Sequence, residues 1–186
     1  MSDTPRALIV YESMFGNTWK VAAAIRDGLG TVIDTDLVRV DLAPAEIPAD
    51  VRLLVVGGPT HAFSMSRPST RADAAKQGDV VMPLETGIRE WLGALPNRTT
   101  PTLTVTFDTR ITKVRRLPGS AARSAAKLLR RRGFRAMVPP TTFFVEDTTG
   151  PIEGRELARA RQWGVDLGRE LGSVLGPSRR GTRRSA

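Results

Sequence analysis

Residues 13–18 read SMFGNT and lie between an apolar run at 7–11, ALIVY, and a helix-like segment at 18–29. Five consecutive apolar residues are typical of a parallel strand that is covered on both faces. In 18–29, apolar residues recur every three or four positions, which is the spacing of an amphipathic helix. The sequence therefore predicts that the chain leaves a buried strand, turns at Gly16 and enters a helix.

The same alternation continues along the chain. Apolar and β-branched runs predict five strands, at 7–11, 36–42, 52–57, 102–107 and 141–145. Amphipathic segments predict four helices, at 18–29, 83–95, 119–132 and 153–175, and the polar segment 58–82 is predicted to be one long loop. We therefore expect an α/β fold, with a doubly wound five-stranded parallel sheet in three layers. Its ligand should lie beyond the carboxyl ends of the strands.

Composition limits the classes of protein to consider. The chain has 186 residues, no cysteine and one histidine, His61, so disulfides, thiolate metal sites and multi-histidine metal sites are excluded. We predict no metal site, one domain at 1–176, and a disordered basic tail at 177–186. No apolar run approaches the ~20 residues of a membrane helix, and no secretory signal is visible. The expected location is cytoplasmic.

The net charge of +9 is concentrated in two places, the arginine-rich tail and the segment 113–135. Clustered arginines can neutralise nucleic-acid phosphates. Aromatic residues do not alternate with these arginines, as a single-strand stacking surface requires. The pattern favours a solvated helix face and a flexible tail over a nucleic-acid site.

The turn SMFGNT combines several features of an anion site. Gly16 can adopt a positive φ and bring the backbone close to a ligand. Asn17 and Thr18 stand at the start of the predicted helix, where free N–H groups and the helix dipole attract negative charge. Ser13 adds a hydroxyl group. An ordinary capped turn explains the same residues equally well.

Two further loops follow predicted strands at the same edge of the sheet. The first, GGPTHAFSMSR at 57–67, has paired glycines that permit close backbone approach, and His61 and Phe63 offer flat surfaces. The second, at 108–120, begins with Asp108 and contains Arg110. Two interpretations are equally supported at this point. Either Asp108 caps a turn and Arg110 is solvated, or the two residues contact a ligand.

The stretch VYESMFGNT resembles the phosphate-binding loop of flavodoxin-like proteins, usually written T/S-x-T-G-x-T after the first strand. Ser13, Gly16 and Thr18 match this pattern, and Phe15 replaces the usual hydroxyl residue. The resemblance extends from the first strand to the last helix and implies a sheet of order 2-1-3-4-5 that binds FMN. By this resemblance the cofactor-binding residues are Ser13, Met14, Phe15, Gly16, Asn17, Thr18, Pro59, Thr60, His61, Ala62, Phe63, Phe107, Asp108, Thr109 and Arg110.

The resemblance implies an FMN-binding protein that carries electrons between redox partners. Hydrolytic chemistry is poorly supported, because the sequence has no GxSxG elbow and His61 is the only histidine available as a base. FMN is favoured over FAD because one helix N-terminus serves one phosphate. The basic surface suggests an acidic redox partner.

Two alternatives stay open. One is an FMN-dependent NAD(P)H:quinone or porphyrinogen oxidoreductase, whose substrate pocket the segment 64–82 would cover. The other is a flavin-free binding module whose basic tail contacts nucleic acid or acidic surfaces.

Overall fold

The computed structural model describes residues 5–98 and 102–175 as a sheet with helices on both faces. Its strands are β1 (Arg6–Tyr11), β2 (Thr35–Arg39), β3 (Val51–His61), β4 (Ser64–Met65), β5 (Leu103–Ile111), β6 (Arg135–Ala136) and β7 (Thr141–Val145). Its helices are α1 (Asn17–Leu29), α2 (Pro68–Ala75), α3 (Ile88–Ala94), α4 (Ala121–Arg131) and α5 (Glu156–Leu175). The predicted tail at 177–186 lies outside the described residues.

The sheet has the order β2-β1-β3-β5, and β6 and β7 share the next position beside β5. All of these pairings are parallel, which confirms the predicted doubly wound sheet and its order 2-1-3-4-5. The fifth position differs in detail because two strands fill it. The dipeptide Pro139–Pro140 separates them, and proline cannot donate to a strand ladder. The short β4 pairs antiparallel with the end of β3.

Successive side chains of each strand point to opposite faces of the sheet and pack into two separate hydrophobic cores. On β1, Ala7 and Ile9 pack on the side of α1 and α5. Leu8 and Val10 pack on the other side, with α3 and α4. This alternation produces the three layers. Among residues 5–98 and 102–175, no helix has both the length and the apolar character needed to cross a membrane.

The prediction of a single loop at 58–82 is wrong. β3 continues to His61, turns back through a hairpin into β4, and α2 follows. Helix α3 also begins later than the predicted position 83. The hydrogen bond that would continue a helix, from Ile88 N–H to the Leu84 carbonyl, is replaced at both ends. Ile88 N–H donates to Glu12 Oε2 at 2.8 Å, and the Leu84 carbonyl accepts from Arg71 Nε at 2.6 Å.

Candidate functional site

A cleft of about 250 Å³ opens at the carboxyl ends of β1, β3 and β5. Because the strands are parallel, the loops that follow them meet at this edge. The side chains around the cleft come from these loops, from α2 and from the segment after β7. They are Ser13, Met14, Phe15, Asn17, Thr18, Pro59, Thr60, His61, Ala62, Thr70, Asp73, Ala74, Gln77, Thr109, Arg110, Ile111, Val145 and Thr148.

The loop between β1 and α1 presents backbone donors at this edge. Gly16 has φ of +84°, and a β-carbon built on it would meet no atom within 4 Å. The N–H groups of residues 14–18 donate no hydrogen bond to any acceptor within residues 5–98 and 102–175. Helix α1 then begins at Asn17 with 13 residues and no acidic side chain in its first turn. This arrangement gives a positive helix end that bears unused donors.

Two hydroxyl groups of this loop are already held in place. Ser13 Oγ accepts a hydrogen bond from Trp19 N–H at 3.1 Å, so its own proton stays available. Thr18 Oγ1 and Thr109 Oγ1 lie 2.7 Å apart, and both residues are buried. Only one proton is used between the two threonine hydroxyls, so the pair can still donate one hydrogen bond.

The β3–β4 hairpin forms the second wall of the cleft. Its two central residues both have positive φ, 44° at Ala62 and 66° at Phe63. Such values are rare outside glycine and are expected of a tight two-residue hairpin. His61 and Ala62 line the cleft, whereas Phe63 is 51% exposed and does not line it.

His61 is the only histidine and stands beside α2. Burial lowers its pKa, a hydrogen bond with the Thr70 backbone partly offsets this, and the Arg71 charge lowers it further. The imidazole is therefore neutral near pH 7 and presents a flat, uncharged ring to the cleft.

A buried ionic network fixes α2, which forms the third wall. Arg71 is fully buried; it donates from Nη1 to Ser66 Oγ at 2.8 Å and pairs with Glu90 Oε2 at 3.0 Å. Glu12 lies in the same network, and burial raises the pKa of its carboxyl group despite the nearby Arg71 charge. Its Oε1 has no hydrogen-bond partner among the described residues. Breaking such a network costs several kcal/mol, so α2 is held firmly against the sheet.

The first residues of the predicted third loop, 108–111, belong to strand β5, and their side chains alternate between the two faces of the sheet. Thr109 faces the cleft, while Asp108 faces the start of α4. Asp108 Oδ2 accepts from Thr60 Oγ1 at 2.9 Å, from Ala122 N–H at 3.1 Å and from the Ser120 hydroxyl. The carboxylate thus caps α4 and joins it to β3. It does not line the cleft.

Phe107 also lies outside the lining of the cleft. It is buried among the rings of Phe143 and Trp163, with ring centroids 6.0 and 6.4 Å away. The T-shaped contacts place it in the core shared with α5. Phe63, Phe107 and Asp108 are therefore the predicted residues whose side chains the structure does not bring to the cleft.

Arg110 lines the cleft, but its guanidinium group is engaged elsewhere. It donates to the carbonyl oxygens of Leu117 and Gly119, the latter at 3.0 Å. The residue is 8% exposed, and its Nε has no hydrogen-bond partner among the described residues. The residue thus holds the loop before α4 and leaves a positive charge in the wall of the cleft.

The contribution of α2 and of the residues just after it was not predicted: Thr70, Asp73 and Ala74 lie in α2, and Gln77 follows it. A signal was present, since Pro68 stands at the first turn and Arg67 N–H donates to Thr70 Oγ1 at 2.9 Å. Proline at a helix start followed by a capping threonine is a helix signature. Ile111, Val145 and Thr148 also line the cleft, and no local motif marked them.

Solved structures similar to this chain include a flavodoxin from the domain Archaea, with a TM-score of 0.60 and 18% sequence identity, covering 89% of this chain and 98% of that one. The chain has the flavodoxin-like fold. Flavodoxin 2 from Bacillus cereus matches with a TM-score of 0.60 and 16% identity, covering 91% of this chain and 99% of that one. A flavodoxin, WrbA-like protein from Agrobacterium tumefaciens matches with a TM-score of 0.52 and 14% identity, covering 91% and 99%.

No family model and no curated protein matches the sequence of this flavodoxin-like chain. The similarity to solved structures, at 18% identity or less, concerns the fold.

Proposed function

We propose that this chain binds FMN in the cleft at the carboxyl ends of β1, β3 and β5 and carries electrons between redox partners. One observation carries the proposal. The N–H groups of residues 14–18 donate to no described residue and stand at the N-terminal end of α1, and all of these residues except Gly16 line the cleft. A dianionic phosphate satisfies such donors and gains from the helix dipole.

The residues of this loop fit a phosphate group. The open space beside Gly16 lets a ligand oxygen approach the backbone. The Ser13 hydroxyl and the Thr18–Thr109 pair each retain a proton to donate. Phe15 stands where a third hydroxyl would be expected from the resemblance, so backbone donors carry more of the binding here.

The remainder of the cleft fits a flat, partly apolar ring system. Pro59, Ala62 and the neutral imidazole of His61 supply one wall, and Phe15 supplies an aromatic ring nearby. Flavin binding requires flat apolar contacts together with a few polar groups that set orientation. FMN, when bound, supplies one- and two-electron redox chemistry. The chain's own residues bind it, orient it and exclude water from one face.

A second candidate is an FMN-dependent reductase of small molecules. Thr70 and Asp73 of α2, and Gln77 just after it, favour this candidate because they add polar groups to the wall of the cleft. Steady-state reduction of quinones by NAD(P)H separates the two functions, since a carrier has no binding site for either substrate and turns over slowly.

The test compares FMN with riboflavin, which lacks the phosphate. Fluorescence titration of flavin-free protein should give tight 1:1 binding of FMN and much weaker binding of riboflavin. Thr18→Val should lower FMN affinity by roughly tenfold to a hundredfold, the value of one hydrogen bond to a charged group. Riboflavin affinity should hardly change. Thr35→Val, in β2 and away from the cleft, is the matched control.

Absence of FMN binding would refute the proposal. Equal losses of FMN and riboflavin affinity in Thr18→Val would show that the loop supports the site without holding phosphate.

A further inference from the structure

Positive charge is segregated in the sequence. Residues 109–145 contain ten arginines and lysines and no aspartate or glutamate, whereas the rest of the chain has 18 basic and 19 acidic residues. Within the described residues, the cations of this segment that are exposed and form no ion pair are Arg115, Arg116, Arg123, Lys127, Arg130, Arg131 and Arg135. Such a field attracts acidic molecules over distances of several ångströms and more.

The part of this segment that contains Arg115, Arg116 and Arg123 adjoins the cleft. A hollow of about 330 Å³ lies next to it, lined by Arg115, Arg116 and Arg123 among others. Arg110 lines both the hollow and the cleft. A partner that sits over the hollow is therefore close to the proposed cofactor.

Exposed apolar groups lie beside these cations. Phe63 is 51% exposed and Leu117 is 45% exposed. Phe63 lies directly against the loop that carries Leu117, since a β-carbon on Gly119 would be 2.6 Å from Phe63 Cβ. Aromatic and arginine side chains are enriched in protein interfaces, where an apolar centre is surrounded by a polar rim.

The surface is also preorganised. Arg110 holds the carbonyl groups of Leu117 and Gly119, and Ser64 of the hairpin lies 3.0 Å from Ser124 of α4, oxygen to oxygen. These contacts join the hairpin, the loop before α4 and α4 itself into one unit. Ordering costs on binding are correspondingly small.

We propose that the surface formed by Phe63, Leu117, Arg115, Arg116 and Arg123 is the docking site for an acidic electron-transfer protein. This rests on the proposed function, because the partner exchanges electrons with the cleft beside the surface. A protein partner fits better than nucleic acid, since the cations lie beside exposed apolar side chains next to the cleft. In each encounter one electron leaves the partner's reduced centre and enters the protein-bound flavin, and no covalent bond forms or breaks.

The probe is an acidic plant-type [2Fe–2S] ferredoxin, whose reduced cluster is a strong donor. Stopped-flow reduction of the FMN-loaded protein should slow by tenfold or more between low salt and high salt. The triple variant Arg115→Gln, Arg116→Gln, Arg123→Gln should be slower by at least tenfold at low salt. The control triple Arg26→Gln, Arg161→Gln, Arg169→Gln removes the same charge from exposed positions on α1 and α5 and should retain most of the rate.

Calorimetry with oxidised ferredoxin and flavin-free protein provides a readout that does not depend on FMN. The first triple should lose binding that the control triple keeps, and Phe63→Ser should weaken binding further at high salt, where charge is screened. If FMN binding fails but this pattern appears, the docking surface stands and the proposed function falls.

Equal losses in both triples would mean that only net charge matters and would overturn the proposal. A rate independent of salt would do the same. A third titration uses a 20-base-pair DNA duplex at physiological salt. The surface would be assigned to nucleic acid instead if two results appeared together. The parent protein would bind the duplex tightly and the first triple variant would not, while the rate of reduction by ferredoxin would be the same for both proteins.

Discussion

Gly16 combines a left-handed backbone with open space, so the reason for glycine at this position is conformational. At φ of +84° an L-residue costs about 1 to 2 kcal/mol. We therefore expect Gly16→Ala to lower the free energy of unfolding by about that amount, even though its β-carbon meets nothing within 4 Å. Urea denaturation of the flavin-free protein measures the effect.

Gly93 provides the matched control for this prediction. A β-carbon there also meets nothing within 4 Å, but the residue lies in α3 with an ordinary helical backbone. Gly93→Ala should stabilise the protein by about 0.5 to 1 kcal/mol. If both variants change stability in the same direction, backbone strain at Gly16 is not the cause.

The side chains at 107–110 show how far residue assignments could be predicted. The sequence predicted a strand that ends at 107 and a loop from 108 onward, in which any side chain can face a ligand. β5 continues to Ile111, so consecutive side chains face opposite sides of the sheet. Thr109 therefore reaches the cleft, whereas Asp108 caps α4. Side-chain character alternates along the segment TFDTRI, as expected of a longer strand. The charged residues in the segment favoured a loop instead.

At the scale of elements, α1 and α5 cross at glycines. A β-carbon on Gly164 would lie 2.3 Å from the carbonyl oxygen of Ile25, a backbone atom that cannot swing aside. Gly164→Ala should separate the helices and destabilise the protein by about 1 to 3 kcal/mol. Denaturant unfolding measures this, and near-ultraviolet circular dichroism should report the movement of Trp163.

Gly172, two turns further along α5, has no atom within 4 Å of its β-carbon position. Gly172→Ala should therefore raise stability by about 0.5 to 1 kcal/mol, the usual gain in a helix. A neutral result for Gly164→Ala would mean that the crossing of the two helices is looser than the described backbone positions require.

Elements whose apolar periodicity was strong could be predicted well, and those formed by tertiary contacts could not. The central strands and α1 follow directly from local pattern. Helix α3 starts late because Glu12 and Arg71, distant in sequence, bind the two groups that an earlier start would pair, Ile88 N–H and the Leu84 carbonyl. The β3–β4 hairpin escaped prediction because its turn uses Ala62 and Phe63, not the glycine or asparagine that such turns prefer.

At the scale of the whole molecule, the net charge of +9 could be read from composition, but its arrangement required the fold. Arg115 and Arg116, in the loop before α4, and Arg123, in its first turn, place three unpaired cations of the described residues around one hollow, next to the cleft. A count of charged residues in the sequence cannot show this arrangement, because distance along the chain does not give distance in space. The arrangement has a consequence for stability as well as for partner binding.

Repulsion along α4 should destabilise the protein at low salt. Lys127 has like-charged neighbours at Arg123, Arg130 and Arg131, which are three or four positions away on the same helix. Each such pair costs about 0.2 to 0.5 kcal/mol. Lys127→Gln, which preserves helix propensity, should therefore raise the free energy of unfolding by about 0.5 to 1.5 kcal/mol in 20 mM salt.

The gain should largely vanish in 0.5 M NaCl, because a Debye length near 4 Å screens exposed charges. Lys20→Gln removes the same charge from α1, where positions 16, 17, 23 and 24 are uncharged, and should change stability little at either salt concentration. Urea unfolding of the three proteins at both concentrations decides the matter. Equal effects of the two substitutions would assign the repulsion to net charge alone, and a gain for Lys127→Gln that survives in high salt would point to helix propensity instead.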